Sequence, residues 1–212
     1  KVYALDGKTG TKKWEFQSGH PAQIAAGFPT PIHASPAIGL DNTIYIYADT
    51  KVYALDGKTG TKKWEYNMRV NGSSSCAIGI DGTVYIGGNI SILALDGKTG
   101  TQKWEFNEGG ADSSPAIGAE GTVYVGSSNK KIYALDGKTG AKKWEFVTAS
   151  VSSSPVIGSD GTVYVESQDG EKRDVKLFAL DGKTGAKKWD FKTGVVSPSF
   201  ICPAIGSDGT VY

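Results

Sequence analysis

Five copies of Asp-Gly-Lys-Thr-Gly, at 6–10, 56–60, 96–100, 136–140 and 181–185, are the first residues in this chain with chemistry to offer, because glycine, lysine and threonine together are what a phosphate-cradling loop uses. The context excludes that use. A phosphate loop needs G-x-x-x-x-G-K-[ST] between a strand and a helix, whereas each copy here is a turn between two runs rich in β-branched and aromatic residues. The aspartates Asp6, Asp56, Asp96, Asp136 and Asp181 invite a calcium reading. One carboxylate per turn, with no second nearby, is instead a turn cap that accepts from backbone amides. His20 and His33 share the longest loop with no cysteine or acidic partner beside them, so they read as loop-surface histidines and no metal site is expected. No Ser-His-Asp arrangement can be placed, and no catalytic residue is assigned.

Cys76 and Cys202 form no C-x-x-C pair. Aligned on the repeat, Cys76 takes the register of Pro36, Pro115, Pro155 and Pro203, and Cys202 that of Ser35, Ser75, Ser114 and Ser154. Adjacent registers face opposite sides of a strand, so two free, buried thiols are expected instead of a disulfide or a metal pair. Lysine pairs such as Lys12-Lys13 and Lys142-Lys143 recur on the last strand of each unit and read as solvated guards against edge-to-edge association.

The elements that must position these residues follow from a repeat. A-L-D-G-K-T-G begins at Ala4, Ala54, Ala94, Ala134 and Ala179, and a tryptophan follows each alanine by ten residues: Trp14, Trp64, Trp104, Trp144 and Trp189. A second phrase close to A-I-G-x-D-G-T-V-Y recurs around Ile38, Ile78, Ile117, Ile157 and Ile205. Residues 1–15 and 51–65 are identical, the mark of recent amplification or consensus engineering. Within 113–147 four short strands, A to D, alternate with turn signals as in an antiparallel meander. Such a unit cannot bury both faces alone, so tandem copies stack radially as propeller blades.

The predicted fold is all-β: one β-propeller over 1–212 with four-stranded antiparallel blades at 34–67, 75–107, 113–147 and 153–192. A fifth, composite blade joins 201–212 to 1–17, closing a monomeric ring.

Composition sets the outer bounds. In 212 residues, 23 Lys and Arg face 22 Asp and Glu, which leaves no field to recruit nucleic acid or an anionic membrane. No apolar run approaches the ~18 residues of a membrane helix, so no membrane insertion is expected. The 29 glycines, about twice the usual ~7% share, leave no room for a long helix. The chain begins at Lys1 and its single methionine is Met68, so a missing natural start is expected.

The pattern A-x-D-x-x-T-G-x-x-x-W, met at Ala4, Asp6, Thr9, Gly10 and Trp14 and in every later copy, resembles the tryptophan-docking motif of quinoprotein-like (PQQ-like) β-propeller repeats. The resemblance implies that each tryptophan packs against a neighbouring blade's glycine, drawn from Gly10, Gly60, Gly100, Gly140 and Gly185. Members of that family usually have seven or eight blades, so it admits five repeats either as a ring or as an arc of a larger one. It implies an extracytoplasmic home, in the periplasm or at the cell surface, and it spans PQQ- and calcium-dependent dehydrogenases as well as non-catalytic outer-membrane assembly scaffolds.

This sequence departs from the enzymes. They sandwich the quinone between a vicinal disulfide and a tryptophan floor, but here no cysteines are adjacent and every tryptophan is committed to docking. No position receives their Glu-Asn calcium pair or their aspartate base, so no cofactor is expected.

What remains is a non-enzymatic binding or scaffold propeller for a protein or polysaccharide partner. The alternatives are a five-bladed lectin, which would need like residues in every inter-blade loop, and, behind it, a fragment of a PQQ dehydrogenase. The A–B and C–D turns share one face and are nearly invariant, while length changes fall in the opposite D-to-A and B–C loops at 18–33, 168–174 and 193–200. That sector carries Phe28 and Phe200 as apolar anchors, with His20, His33, Glu171 and Arg173 as polar neighbours.

Overall fold

The computed structural model describes residues 1–19, 32, 34–68, 74–88, 90–111, 113–127, 129–151, 153–168, 174–195 and 202–212, and every regular element within them is a β-strand. Strands β1 (Val2–Leu5) and β2 (Lys12–Phe16) pair as a two-stranded sheet. Four four-stranded antiparallel sheets follow. Blade 1 is β3 (Ala37–Ile38), β4 (Thr43–Ala48), β5 (Lys51–Asp56) and β6 (Lys62–Asn67); blade 2 is β7 (Ala77–Ile78), β8 (Thr83–Gly87), β9 (Ile92–Asp96) and β10 (Gln102–Phe106). Blade 3 is β11 (Ala116–Ile117), β12 (Thr122–Ser127), β13 (Lys131–Asp136) and β14 (Lys142–Val147), and blade 4 is β15 (Val156–Ile157), β16 (Thr162–Gln168), β17 (Asp174–Asp181) and β18 (Lys187–Val195). The chain finishes on a hairpin held by the bridge between Ile205 and Val211. The architecture is therefore an all-β propeller of meander blades, with the fifth blade present as two halves. Among the described residues no ladder joins β1 to the strand at Val211.

Sequence chemistry explains the shape of a blade. The second and third strands are buried on both faces, as in Thr43–Ala48 and Val52–Leu55, because they lie between neighbouring blades. Their registers repeat: Tyr45 faces Ala54 and Ala54 faces Trp64, so a small residue sits between two large rings in each four-stranded blade. The core is correspondingly a series of blade-to-blade layers, with Val52, Met68, Cys76 and Leu95 between blades 1 and 2, and Phe106, Val125, Tyr133 and Leu135 between blades 2 and 3.

The Asp-Gly-Lys-Thr-Gly segments close the last hairpin of each blade. Asp56 Oδ1 accepts from the amides of Lys58 and Thr59, both at 3.0 Å, and Gly60 N donates to Asp56 O at 2.8 Å. Gly60 has φ +73°, a conformation that only glycine adopts at low cost. The Thr59 amide, with that of Lys58, holds the Asp56 carboxyl below its ordinary range. These turns are caps.

The cysteine expectation needs correction. Cys76 is buried, but Cys202 is exposed, because it leads into the terminal hairpin, over which no sheet is packed. Burial pushes the Cys76 thiol up to about 12. One thiol per native chain should therefore react with a disulfide reagent, and two after denaturation. Two equally fast thiols in the native protein would overturn this placement.

Candidate functional site

Between blades the tryptophans and glycines meet in one repeated geometry. Trp14 Nε1 donates to Gly57 O at 3.0 Å, Trp64 to Gly97 O at 2.9 Å, Trp104 to Gly137 O at 2.8 Å and Trp144 to Gly182 O at 2.9 Å. Each ring lies so close to the next blade's glycine that a Cβ on Gly60, Gly100, Gly140 or Gly185 would stand 2.7–2.8 Å from it. The hydroxyls of Tyr45, Tyr85 and Tyr124 donate to the last three of those carbonyls, each at 3.0 Å.

Trp189 departs from the expected docking. It is 41% exposed, its ring meets Tyr164, and nothing lies within 4 Å of a Cβ on Gly10. The physical reason is the separation of the two half-blades, which leaves Trp189 with no neighbouring turn. Trp189 has no adjacent cysteine pair opposite it, and the described residues contain no group of three His, Cys, Asp or Glu able to hold a metal ion.

The outer rim of the blades carries a second repeated device. A carboxylate on the last strand is clamped by two lysines: Glu15 by Lys1 and Lys12, both at 2.9 Å; Glu65 by Lys51 and Lys62, both at 2.6 Å; Glu145 by Lys131 and Lys142, at 2.8 and 2.9 Å; and Asp190 by Lys176 and Lys187, at 3.2 and 2.5 Å. The Lys1 and Lys12 ammonium groups draw the Glu15 carboxyl down to about 2. Lys63, Lys143 and Lys188 turn back across their blades and donate to Thr43, Thr122 and Thr162 Oγ1 at 2.6, 2.7 and 2.6 Å, while Lys13 pairs with Asp6 at 3.1 Å. The lysines read as solvated guards lie exposed on the last strands and also pair with these carboxylates.

Blade 2 breaks the device. Ser91 and Gln102 stand where the lysines should be, and among the described residues Glu105 keeps one long hydrogen bond, from Gln102 Nε2 at 3.5 Å. The same blade also breaks a ring contact. Phe16 meets Tyr53 at 5.2 Å, Phe106 meets Tyr133 at 5.1 Å and Phe146 meets Phe178 at 5.4 Å, but opposite Tyr66 the aromatic is replaced by Leu93. The lost ring and the two lost lysine stems leave a cleft of about 390 Å³, lined by Tyr66, Ile90, Ser91, Leu93, Gln102, Glu105 and Asn107. Tyr66 donates to Gln102 Oε1 at 2.6 Å across its mouth.

The cleft has the volume of a small-ligand site and an apolar wall beside one carboxylate and two amides, which suits an aliphatic stem ending in a cation. Ile90 and Ser91 close the B–C connection of blade 2 and Asn107 opens its D-to-A connection, so the cleft starts at the loop-face end of the blade. Loop length did not reveal it. The signal was residue type at three registers of the repeat, at 91, 93 and 102. The six residues expected to recognise a partner, His20, Phe28, His33, Glu171, Arg173 and Phe200, lie outside the described residues. No helix among the described residues is long and apolar enough to cross a membrane.

Comparison with known proteins agrees with this geometry. The solved structures it resembles include BamB from Moraxella catarrhalis, with 23% identity and TM-score 0.71 over 89% of this chain and 57% of that one. They also include hydrazine synthase from Kuenenia stuttgartiensis, with 19% identity and TM-score 0.66 over 74% of this chain and 48% of that one. The quinohemoprotein alcohol dehydrogenase of Comamonas testosteroni matches with 18% identity and TM-score 0.67 over 99% of this chain and 42% of that one. The chain thus spans under two thirds of each of these proteins. No curated protein sequence matches it. A family model described as outer membrane protein assembly factor BamB matches residues 1–88 and again 88–208, so with its docked tryptophans and capped Asp-Gly-Lys-Thr-Gly turns the chain belongs to the BamB-like family of PQQ-like β-propeller repeats.

Proposed function

We propose that the chain is a non-catalytic, extracytoplasmic scaffold that binds a protein partner through its loop face, with a basic side chain of the partner entering the blade 2 cleft. The observation that carries this reading is Glu105. In every other copy the equivalent carboxylate is saturated by two lysines, and here the lysines are missing and a cleft stands in their place. A partner's lysine or arginine restores the charge pairing while its stem covers Tyr66 and Leu93. Membership of a family named for an outer-membrane assembly factor supports a protein partner and an extracytoplasmic setting. The proposal keeps His20, Phe28, His33, Glu171, Arg173 and Phe200, from the D-to-A and B–C loops, as further partner-binding candidates. The residue types lining the cleft, Ser91, Leu93 and Gln102, are peculiar to blade 2, which does not favour a lectin with one equivalent site per blade.

The test uses acetyl-Gly-Lys-Gly-amide and its norleucine counterpart, followed by amide shifts of Glu105 and Gln102. The lysine peptide should bind about fivefold more tightly than the norleucine one, the worth of an exposed ion pair of about 1 kcal/mol. Glu105→Gln should remove that preference, and the double variant Ser91→Lys, Gln102→Lys should occupy the clamp from within and abolish binding. Equal binding by the double variant and the natural chain would overturn the assignment.

A further inference from the structure

The rim carboxylates of the other copies show, atom by atom, what Glu105 lacks. In each of them two lysines divide the carboxylate, one oxygen to each. Lys1 and Lys12 take Oε1 and Oε2 of Glu15, Lys51 and Lys62 take Oε1 and Oε2 of Glu65, and Lys131 and Lys142 take Oε1 and Oε2 of Glu145. Lys176 and Lys187 take Oδ2 and Oδ1 of Asp190. Blade 2 has lost both donors at once, because Ser91 stands at the register of Lys51, Lys131 and Lys176, and Gln102 at that of Lys62, Lys142 and Lys187. Among the described residues Glu105 Oε2 accepts from Gln102 Nε2 at 3.5 Å, and Oε1 accepts from no donor.

The site is thus short of two charged donors, one for each oxygen, and one side chain must bring both into the cleft. A lysine ammonium is a compact point charge and replaces one of them. A guanidinium presents two parallel N–H groups in a planar fork that matches the two oxygens of a carboxylate, so it replaces both. The walls suit the rest of an arginine. Ser91 and Leu93, 2% and 4% exposed, form the floor, and Ile90, 60% exposed, forms a lip along which an aliphatic stem packs. The Tyr66 ring lines the blade 1 side, and guanidinium planes stack on aromatic faces. The Tyr66 hydroxyl donates to Gln102 Oε1 at 2.6 Å and so keeps Gln102 at the mouth beside Glu105. Gln102 and Asn107 offer amide oxygens to the N–H groups that the carboxylate does not take.

We infer that the blade 2 cleft selects arginine over lysine, one arginine of the partner binding Glu105 through both carboxylate oxygens in place of the two lysines that the other copies carry. This rests on the proposed reading of the cleft as the site of a partner's basic side chain, and it narrows that reading to one residue type. Both cations carry a single positive charge, so the selection comes from the geometry of the donors. Returning one lysine to the blade should therefore erase it. Ser91→Lys and Gln102→Lys each refill one oxygen of Glu105, and on the single oxygen that remains a fork has no advantage over an ammonium.

The test compares the affinity of the 212-residue chain for four peptides, acetyl-Gly-Xaa-Gly-amide with arginine, citrulline, lysine or norleucine at the centre. The arginine peptide should bind about fivefold more tightly than the lysine peptide, as one further exposed charged contact provides. Citrulline has the shape of arginine without its charge and should bind no better than norleucine. In Ser91→Lys, in Gln102→Lys and in Glu105→Gln the arginine and lysine peptides should bind equally and weakly. Arginine and lysine peptides that bind the natural chain alike, both above norleucine, overturn the selection and leave the cationic site standing. An arginine peptide no better than citrulline, with a lysine peptide no better than norleucine, overturns the cationic site and the selection together. An arginine preference that persists in Glu105→Gln or in either lysine variant also overturns the inference, because it then arises away from the paired oxygens of Glu105.

Discussion

Gly100→Ala is expected to destabilise the protein by about 3 kcal/mol, from about 1–2 kcal/mol for a side chain in the left-handed region and the rest from overpacking against the ring. The new Cβ would stand 2.7 Å from Cδ2 and Cε3 of Trp64, and the residue has φ +74°. Gly82→Ala is the matched control, with φ +79° and nothing within 4 Å of its Cβ, so it carries the backbone strain alone. In a stack whose units touch only their neighbours, weakening one interface also uncouples what lies on either side. Urea unfolding of the Gly100 variant should therefore broaden or divide into two steps, while the Gly82 variant keeps one. Equal losses at the two glycines would mean that the Trp64 ring is not seated on Gly100.

The blade interior was legible because its determinants are local. The Asp-Gly-Lys-Thr-Gly turn places its own cap and its own glycine, and Ala54 between Tyr45 and Trp64 fixes the register by size alone. The ends were not legible for the opposite reason. Leu5 and Leu55 stand in identical fifteen-residue stretches, yet one is 59% exposed and the other fully buried. Burial there belongs to the neighbouring strand and not to the residue, and this is also why Cys202 and Trp189 departed from expectation. The blade 2 cleft escaped for a third reason. Ser91, Leu93 and Gln102 are unremarkable one at a time, and they define a space only when blade 1 brings Tyr66 against them. Loop length draws attention to the faces of a propeller, whereas this cavity arises from lost side-chain volume on its rim.

Trp104→Ala is expected to cost about 4 kcal/mol, as large-to-small changes at buried aromatics do. It removes a ring 8% exposed, its 2.8 Å hydrogen bond to Gly137 O and its contact with Tyr85 at 5.8 Å. At the lowest concentration that fluorescence can follow, Trp189→Ala should cost about 1 kcal/mol or less, since a half-exposed ring loses little by truncation. Its ring meets Tyr164 at 5.7 Å, and nothing lies within 4 Å of a Cβ on Gly10. The same substitution therefore reads the environment of two tryptophans whose repeats are nearly the same in sequence. A Trp189 penalty as large as that at Trp104 would mean that the Trp189 ring is seated on a glycine turn as the interior rings are.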